Sequence, residues 1–327
     1  MAEAKAKNKV NRLIFILKLI FGCGLLAALL MWNNNVGHLV KIFRSIQPEF
    51  IILLFVVGIA LNWISCLKWK LFIDKQGFKV TIYRLLGLYF IGKFFSNFIP
   101  SMVGGDLTRT YLLGRQINSQ SKSFASVFLE RFTGLIALIV LALTFAITNP
   151  QILKEPKIGV SIALVSVAFI IFTILLLNPK GIDWISSKLD FVPFLPSVMS
   201  NFKTVQKEIL YFKDKYRLLS GAMLYSFAFH LLTSLNVYLC CLSIKFYPAF
   251  LDIAVITPII LLLNTIPVSP NNIGWWEWTF SFLLVEAGTG SAEGLAVALI
   301  LRGMTLIFSL AGGVFFLLQK HQKESYQ

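Results

Sequence analysis

The chain has 327 residues, of which 57% are hydrophobic, and a formal net charge of +15. Several apolar runs reach the roughly 20 residues that a helix needs to cross a bilayer, whereas the alternating strands of a membrane barrel, about ten residues each, are absent. Because lysine and arginine fall in short stretches between the apolar runs, the positive charge indicates membrane topology rather than nucleic-acid binding. The composition predicts an all-α integral membrane protein with a single polytopic domain over residues 1–327.

Eight apolar segments follow one another along the chain, and six of them fit full membrane crossings. These predicted crossings are 13–32, 50–67, 126–147, 158–177, 218–242 and 294–318. The first one is longer than the apolar core of a signal peptide and has no small-residue cleavage site, so we expect it to be retained. The other two segments, 85–103 and 253–277, are interrupted by prolines and polar residues.

The two interrupted segments resemble each other. Each contains an Asn-x-Ile-Pro motif, at 97–100 and at 264–267, and each motif is followed by glycine and then by an acidic residue. An arginine comes 25 residues after the acid in both copies, in the pairs Asp106 with Arg131 and Glu277 with Arg302. This pattern predicts an internal repeat with halves at about 85–147 and 251–318.

The distribution of basic residues separates two topologies. If each interrupted segment turns back to the face from which it enters, one face carries 21 Lys and Arg residues and the other carries 5. If both segments cross fully, the seven basic residues of 178–217 move to the opposite face. Since cytoplasmic loops are the more basic ones, we expect two re-entrant hairpins, an inverted repeat and cytoplasmic termini. Segment 178–217 is then a basic cytoplasmic loop, and its amphipathic helix at 198–212 lies on the membrane surface.

Charged and amide side chains concentrate around the two interrupted segments. Irregular backbone in a membrane is tolerated only where it is buried in protein or lines a cavity, and a mid-membrane charge costs about 2.5–3.5 kcal/mol on insertion scales. We therefore expect a polar cavity where the two hairpins meet. Its candidate substrate-binding residues are Asp106, Arg109, Glu130, Arg131, Glu277, Arg302, Asn97 and Asn264.

Two interpretations of these residues remain open. In the first, Arg131 and Arg302 receive an anionic head group through their forked donors, and the acids hold the arginines while the site is empty or contact a cationic group. In the second, the charges are ion pairs that lock the helices together around no water-filled cavity. Asn97 and Asn264 either contact the ligand or cap the ends of the broken helices.

Metal and cofactor chemistry has little support in the sequence. The four cysteines lie in or at the ends of apolar segments without a C-x-x-C motif, and His230 has no second ligand at metal spacing. We expect no metal and no cofactor.

Three stretches resemble signature regions of one family. They are "FFSNFIPSMVGGDLTRTYLL" at 94–113, "ERFTGLIAL" at 130–138 and "PVSPNNIGWWEWTFSFLL" at 267–284. They are similar to the flippase-like membrane domain of lysylphosphatidylglycerol synthases, in the same order and over most of the chain. In that family the domain moves a lipid between leaflets. The resemblance implies functional positions for Asp106, Arg131 and Glu277.

The resemblance also has two departures from the family pattern. Two tryptophans precede the last acid where the family is usually glycine-rich, which bears on head-group specificity. The soluble aminoacyl-transferase domain has no counterpart, so the expectation is a stand-alone member that is not an enzyme.

We therefore expect a lipid translocase that moves a phospholipid or other anionic lipid head group between leaflets through a polar intramembrane cavity. The absence of a P-loop excludes ATP hydrolysis at such a motif as the energy source. The alternatives are a non-transporting membrane partner of a lipid-modifying enzyme, a membrane enzyme and a small-solute transporter. The expected partners are anionic membrane lipids, with a lipid-modifying enzyme and a homo-oligomer left open, and the expected location is a prokaryotic cytoplasmic membrane.

Overall fold

The computed structural model describes residues 2–32, 35–98, 104–148, 156–179, 195–266 and 268–324. Within these ranges the regular structure is entirely helical. The α-helices are α1 (Ala2–Trp32), α2 (Asn35–Arg44), α3 (Pro48–Lys75), α4 (Ile82–Phe98), α5 (Gly104–Gln116), α6 (Gln120–Thr148), α7 (Pro156–Leu177), α8 (Leu195–Leu210), α9 (Tyr216–Ser243), α10 (Phe250–Leu263), α11 (Trp275–Leu283) and α12 (Ser291–Glu324). Short 3₁₀ helices cover Pro270–Asn272 and Leu284–Ala287.

Four helices are long and apolar enough to cross a membrane by length and composition. They are α3, α6, α9 and α12. The described apolar parts of α1 and α7 are shorter, at Ile16–Met31 and Ser166–Leu177. The prediction of an all-α protein with several apolar helices of membrane length is confirmed.

The two interrupted segments form shorter helices. Helix α4 has 17 residues and α10 has 14, so at about 1.5 Å per residue they are about 26 Å and 21 Å long, less than the roughly 30 Å of a bilayer core. Between α10 and α11 the chain leaves the α-helical conformation over 264–274, apart from Pro267, which lies outside the described residues. The first predicted break, with Pro100, also falls outside them.

The helices of the two predicted repeat halves pack on each other reciprocally. The broken helix α4 of the first half lies along the long helix α12 of the second, and the broken helix α10 of the second half packs on the long helix α6 of the first. The α4–α12 contact needs a glycine, because a Cβ atom at Gly312 would lie 1.9 Å from the carbonyl oxygen of Phe90. Around this pair, α3 packs along α9 and against α4.

Two features differ from the sequence prediction, the end of α3 and the surroundings of the amphipathic segment. Helix α3 continues to Lys75, eight residues past the predicted end of the crossing at 67, and it carries Lys68 and Trp69 into the protein interior. In the amphipathic segment, Ile209 and Phe212 are buried in a cluster with residues of α3, α6, α7 and α9. This part of the apolar stripe is therefore covered by protein.

Candidate functional site

The first charge cluster joins α5 to α6 through Asp106. This carboxylate lies in the first turn of α5 and accepts hydrogen bonds from Nε of Arg109 at 2.9 Å and from Nε and Nη2 of Arg131, both at 3.0 Å. Nη2 of Arg109 also donates to Glu130 at 2.7 Å. The predicted pair of Asp106 with Arg131 is thus formed, with the two-pronged geometry typical of strong arginine–carboxylate bonds.

Arg109 is the buried centre of this cluster. The residue is 1% exposed, and its guanidinium carbon lies 4.9 Å from the ring centre of Trp69 and 5.0 Å from that of Tyr89. A guanidinium held between aromatic rings and two carboxylates is stabilised by both kinds of contact. Arg109 therefore holds α3, α4, α5 and α6 together.

Lys68 completes the cluster and was missed by the sequence analysis. Its Nζ lies 3.6 Å from Oε1 of Glu130 and donates to Oγ of Ser226 at 3.2 Å. The apolar run of the predicted crossing ends at 67, which predicts a loop position for Lys68. With two carboxylates and three cations, the cluster carries one net positive charge.

The second acid–arginine pair also forms, but in a different setting. Glu277 is 1% exposed in the first turn of α11, where it accepts a hydrogen bond from the backbone NH of Gly274 at 2.7 Å and another from Nε of Arg302. Arg302 donates further to the backbone carbonyls of Asn271 at 3.3 Å and Asn272 at 3.1 Å. Two nitrogens of the Arg302 guanidinium are therefore bound to the interrupted backbone, and the third is bound to Glu277.

The break between α10 and α11 depends on asparagine and glycine. Asn271 and Asn272 have φ of +51° and Gly274 has φ of +80°, a region that other residues rarely adopt. Nδ2 of Asn272 donates to the carbonyl of Asn264 at 2.6 Å, and Nδ2 of Asn264 donates to Oγ1 of Thr279 at 2.7 Å. Asn264 thus ties the end of α10 to α11, as a cap of a broken helix end would.

A side-chain hydrogen bond connects the two predicted repeat halves. Nδ2 of Asn271 in the second break donates to Oδ1 of Asn97 at the end of α4, at 2.8 Å. The end of α4 is therefore in contact with the stretch between α10 and α11.

A cavity of about 250 Å³, here called the central cavity, lies among α3, α4, α6, α9, α10, α11 and α12. Two cations, Lys93 and Arg131, line it, and its described lining includes no aspartate or glutamate. The neutral polar side chains in its wall are those of Asn62, Ser65, Tyr89, Thr233, Asn236, Trp276 and Thr305.

The two cations of the central cavity are not equally engaged with protein. The side chain of Arg131 is 56% exposed, although its guanidinium binds Asp106. Nζ of Lys93 lies 5.6 Å from the ring centre of Tyr89 and 5.9 Å from that of Phe308, and it forms no ion pair within the described part of the chain. Arg131 is therefore exposed but paired with Asp106, whereas Lys93 has no ion-pair partner among the described residues.

A second cavity of about 380 Å³, here called the asparagine cavity, adjoins the first and shares Leu261, Trp276 and Thr305 with it. Its polar lining contains the predicted residues Asn97, Asn264 and Arg302, together with Asn271 and Asn272. The structure thus brings the eight predicted site residues into two clusters beside two adjoining cavities.

Comparison with known proteins places this arrangement in a class and a family. The apolar helices and the paired charges beside interior cavities define an α-helical membrane protein. The sequence profile described as "Lysylphosphatidylglycerol synthase TM region" matches residues 15–313, and the chain belongs to that family.

The chain is also similar to archaeal proteins named UPF0104 membrane proteins. One from Pyrococcus horikoshii is 26% identical over 89% of this chain and 93% of its own length. One from Methanothermobacter thermautotrophicus is 23% identical over 81% of this chain and 82% of its own length. One from Methanocaldococcus jannaschii is 29% identical over 68% of this chain and 93% of its own length. No solved structure gives a significant match to the chain.

Proposed function

We propose that the protein is a lipid translocase whose central cavity receives an anionic head group while the acyl tails stay in the surrounding lipid. The observation that carries the proposal is that Lys93 and Arg131 line this cavity without a carboxylate in its described lining. Charges inside a membrane protein are costly and commonly mark the path of a substrate. Membership of the family supports a membrane role rather than a soluble one.

The ion pairs and the cavities are compatible in this proposal. Asp106 binds both Arg109 and Arg131, so it orients Arg131 at the edge of the cavity. Glu277 and Arg302 hold the interrupted backbone beside the asparagine cavity. The buried pairs thus stabilise the helix arrangement, and Arg131 and Lys93 bind the phosphate.

We also propose that the two halves form an inverted repeat of re-entrant hairpins, with both termini on the cytoplasmic side of a prokaryotic cytoplasmic membrane. The reciprocal packing of α4 on α12 and of α10 on α6 supports it, since symmetric halves exchange equivalent contacts. The short lengths of α4 and α10 also support turns within the membrane.

Cysteine labelling tests this topology. Exposed Gln120 and Glu286 are replaced by cysteine, one at a time, in a chain without its four native cysteines, and intact cells are treated with an impermeant maleimide. We expect labelling of Glu286→Cys from outside and of Gln120→Cys only after the cells are opened. Labelling of both sites from the same face contradicts the inverted repeat.

Lipid movement tests the function. The purified chain is reconstituted in vesicles with an NBD-tailed phosphatidylglycerol. The fraction of this lipid in the outer leaflet is measured by dithionite quenching of its NBD group. A charge-assisted hydrogen bond contributes about 1.5–3 kcal/mol, so Arg131→Gln and Lys93→Gln should each slow the movement by about tenfold or more.

The matched control is Arg115→Gln, because Arg115 is exposed near the end of α5 and contacts the ring of Tyr111 outside both cavities. This variant should move lipid like the unmodified protein. Unchanged rates in both cavity variants, or no lipid movement by the unmodified protein, would overturn the proposal.

A further inference from the structure

The polar wall of the central cavity suggests what the head group carries besides its phosphate. The inference below rests on the proposed function, because it takes the central cavity to be the head-group site. The three acidic residues near the cavities and the neutral amides of the cavity wall provide independent observations.

The nearby carboxylates are already bound to cations. Asp106 binds two arginines, Glu130 binds Arg109 and Lys68, and Glu277 binds Arg302. An ammonium group in the central cavity would therefore meet Lys93 and Arg131 without a free carboxylate from the described residues. Like charges brought together in a poorly solvated site repel strongly. A head group that bears an amine is disfavoured.

The amide oxygens of two side chains in the same wall accept no hydrogen bond from the described residues. Asn62 is 3% exposed, and its Nδ2 donates to the carbonyl of Gly58 at 2.6 Å, which leaves Oδ1 buried without a partner in the described structure. Oδ1 of Asn236 is also buried and has no hydrogen-bond partner in the described structure. Both residues line the central cavity, one from α3 and one from α9. A buried unpaired acceptor is costly and is normally matched by a donor.

A neutral hydroxyl satisfies these acceptors without adding positive charge. The apolar faces of Trp276 and Phe229, which also line the cavity, suit the carbon skeleton of such a group. We infer that the head group is a phosphate joined to a polyol or sugar, with no amino group. The lysyl lipid in the name of the family does not fit this description.

Three soluble short-chain lipids test the inference by binding to the purified full chain in detergent. Dioctanoyl phosphatidylglycerol has the phosphate and two hydroxyls, dioctanoyl phosphatidylpropanol has the same charge without hydroxyls, and dioctanoyl phosphatidylethanolamine has an amine. Dissociation constants are measured by native mass spectrometry.

We expect phosphatidylglycerol to bind about threefold to tenfold more tightly than phosphatidylpropanol, as one neutral hydrogen bond would give, and phosphatidylethanolamine to bind most weakly. Asn62→Leu and Asn236→Leu should each bring the ratio of the dissociation constants of phosphatidylpropanol and phosphatidylglycerol towards one. Unchanged binding of phosphatidylpropanol shows that a variant is folded. If Asn62→Leu does not fold, the result for Asn236→Leu decides.

The outcomes separate this inference from the proposed function. Equal dissociation constants for the three lipids, tighter binding of the amine, or a hydroxyl preference that persists in the folded leucine variants overturns the inference, even where vesicles show lipid movement. The hydroxyl preference without any lipid movement overturns the translocase proposal and leaves the head-group assignment standing. No binding of any of the three lipids overturns both.

Discussion

The two predicted repeat halves contain the same acid–arginine spacing, but the arginines lie in different surroundings. In the first half, the side chain of Arg131 is 56% exposed and borders the central cavity. In the second, that of Arg302 is 20% exposed and binds a buried carboxylate and two backbone carbonyls. A 25-residue spacing brings each acid to its arginine, but the surroundings decide whether the arginine can also bind a ligand.

The difference follows from the groups that surround each arginine. In the first predicted half, Asp106 binds Arg109 from the interior as well as Arg131, and Lys68 adds a further cation at Glu130. In the second, the interrupted backbone between α10 and α11 exposes carbonyls that require donors, and Arg302 supplies them. Sequence spacing suggests one role for both arginines, whereas the contacts favour head-group binding by Arg131 and backbone stabilisation by Arg302.

The largest expected effect is on stability when the second arginine is removed. Arg302→Ala leaves Glu277 buried without its cation, which costs about 3–5 kcal/mol. Arg131→Ala should cost much less, because Asp106 keeps Arg109 and Arg131 is partly exposed. Thermal unfolding in detergent measures the two changes, and equal losses in the two variants would contradict the assigned roles.

Glycine substitutions probe the tight packing at each break. Gly274→Ala combines an unfavourable φ of +80° with a Cβ atom 2.0 Å from the carbonyl oxygen of Gly22 in α1. We expect about 1–2 kcal/mol for the backbone and about 1–3 kcal/mol for overpacking. The control Gly77→Ala has φ of +87° and open space, so it should show only the first cost. Equal loss of unfolding free energy in these two variants would refute the close α1 contact.

In the first predicted half, a glycine substitution tests close packing without a backbone cost. Gly105→Ala would place its Cβ atom 2.1 Å from the carbonyl oxygen of Gly92, at a position without positive φ. It should show only the overpacking cost, about 1–3 kcal/mol, in the same unfolding measurement. A neutral substitution would mean that α4 and α5 are not in close contact.

The smallest effect concerns the bond between the halves. Asn97→Ala removes the acceptor of Asn271, and the expected loss is about 0.5–1.5 kcal/mol. A double-mutant cycle with Asn271→Gly, which tolerates the φ of +51°, isolates the interaction. A coupling energy near zero would show that the two breaks do not support each other.

Much of this arrangement can be predicted from the sequence, and the reasons for the rest are physical. The apolar runs predict the long helices, and the repeated motif with its equal spacing predicts two ion pairs. The burial of Lys68 could not be predicted, because its partner Glu130 lies 62 residues away and the apolar run ends before it. The carbonyl contacts of Arg302 also depend on the folded path of the break, which local sequence does not specify.

The most direct test of the central claim is an experimental structure of the full chain with bound dioctanoyl phosphatidylglycerol. We predict density for the lipid phosphate in the central cavity, within hydrogen-bonding distance of Arg131 and Lys93, with Arg302 still bound to Asn271 and Asn272. Phosphate density elsewhere on the protein, or at Arg302 with the central cavity unoccupied, would contradict the account.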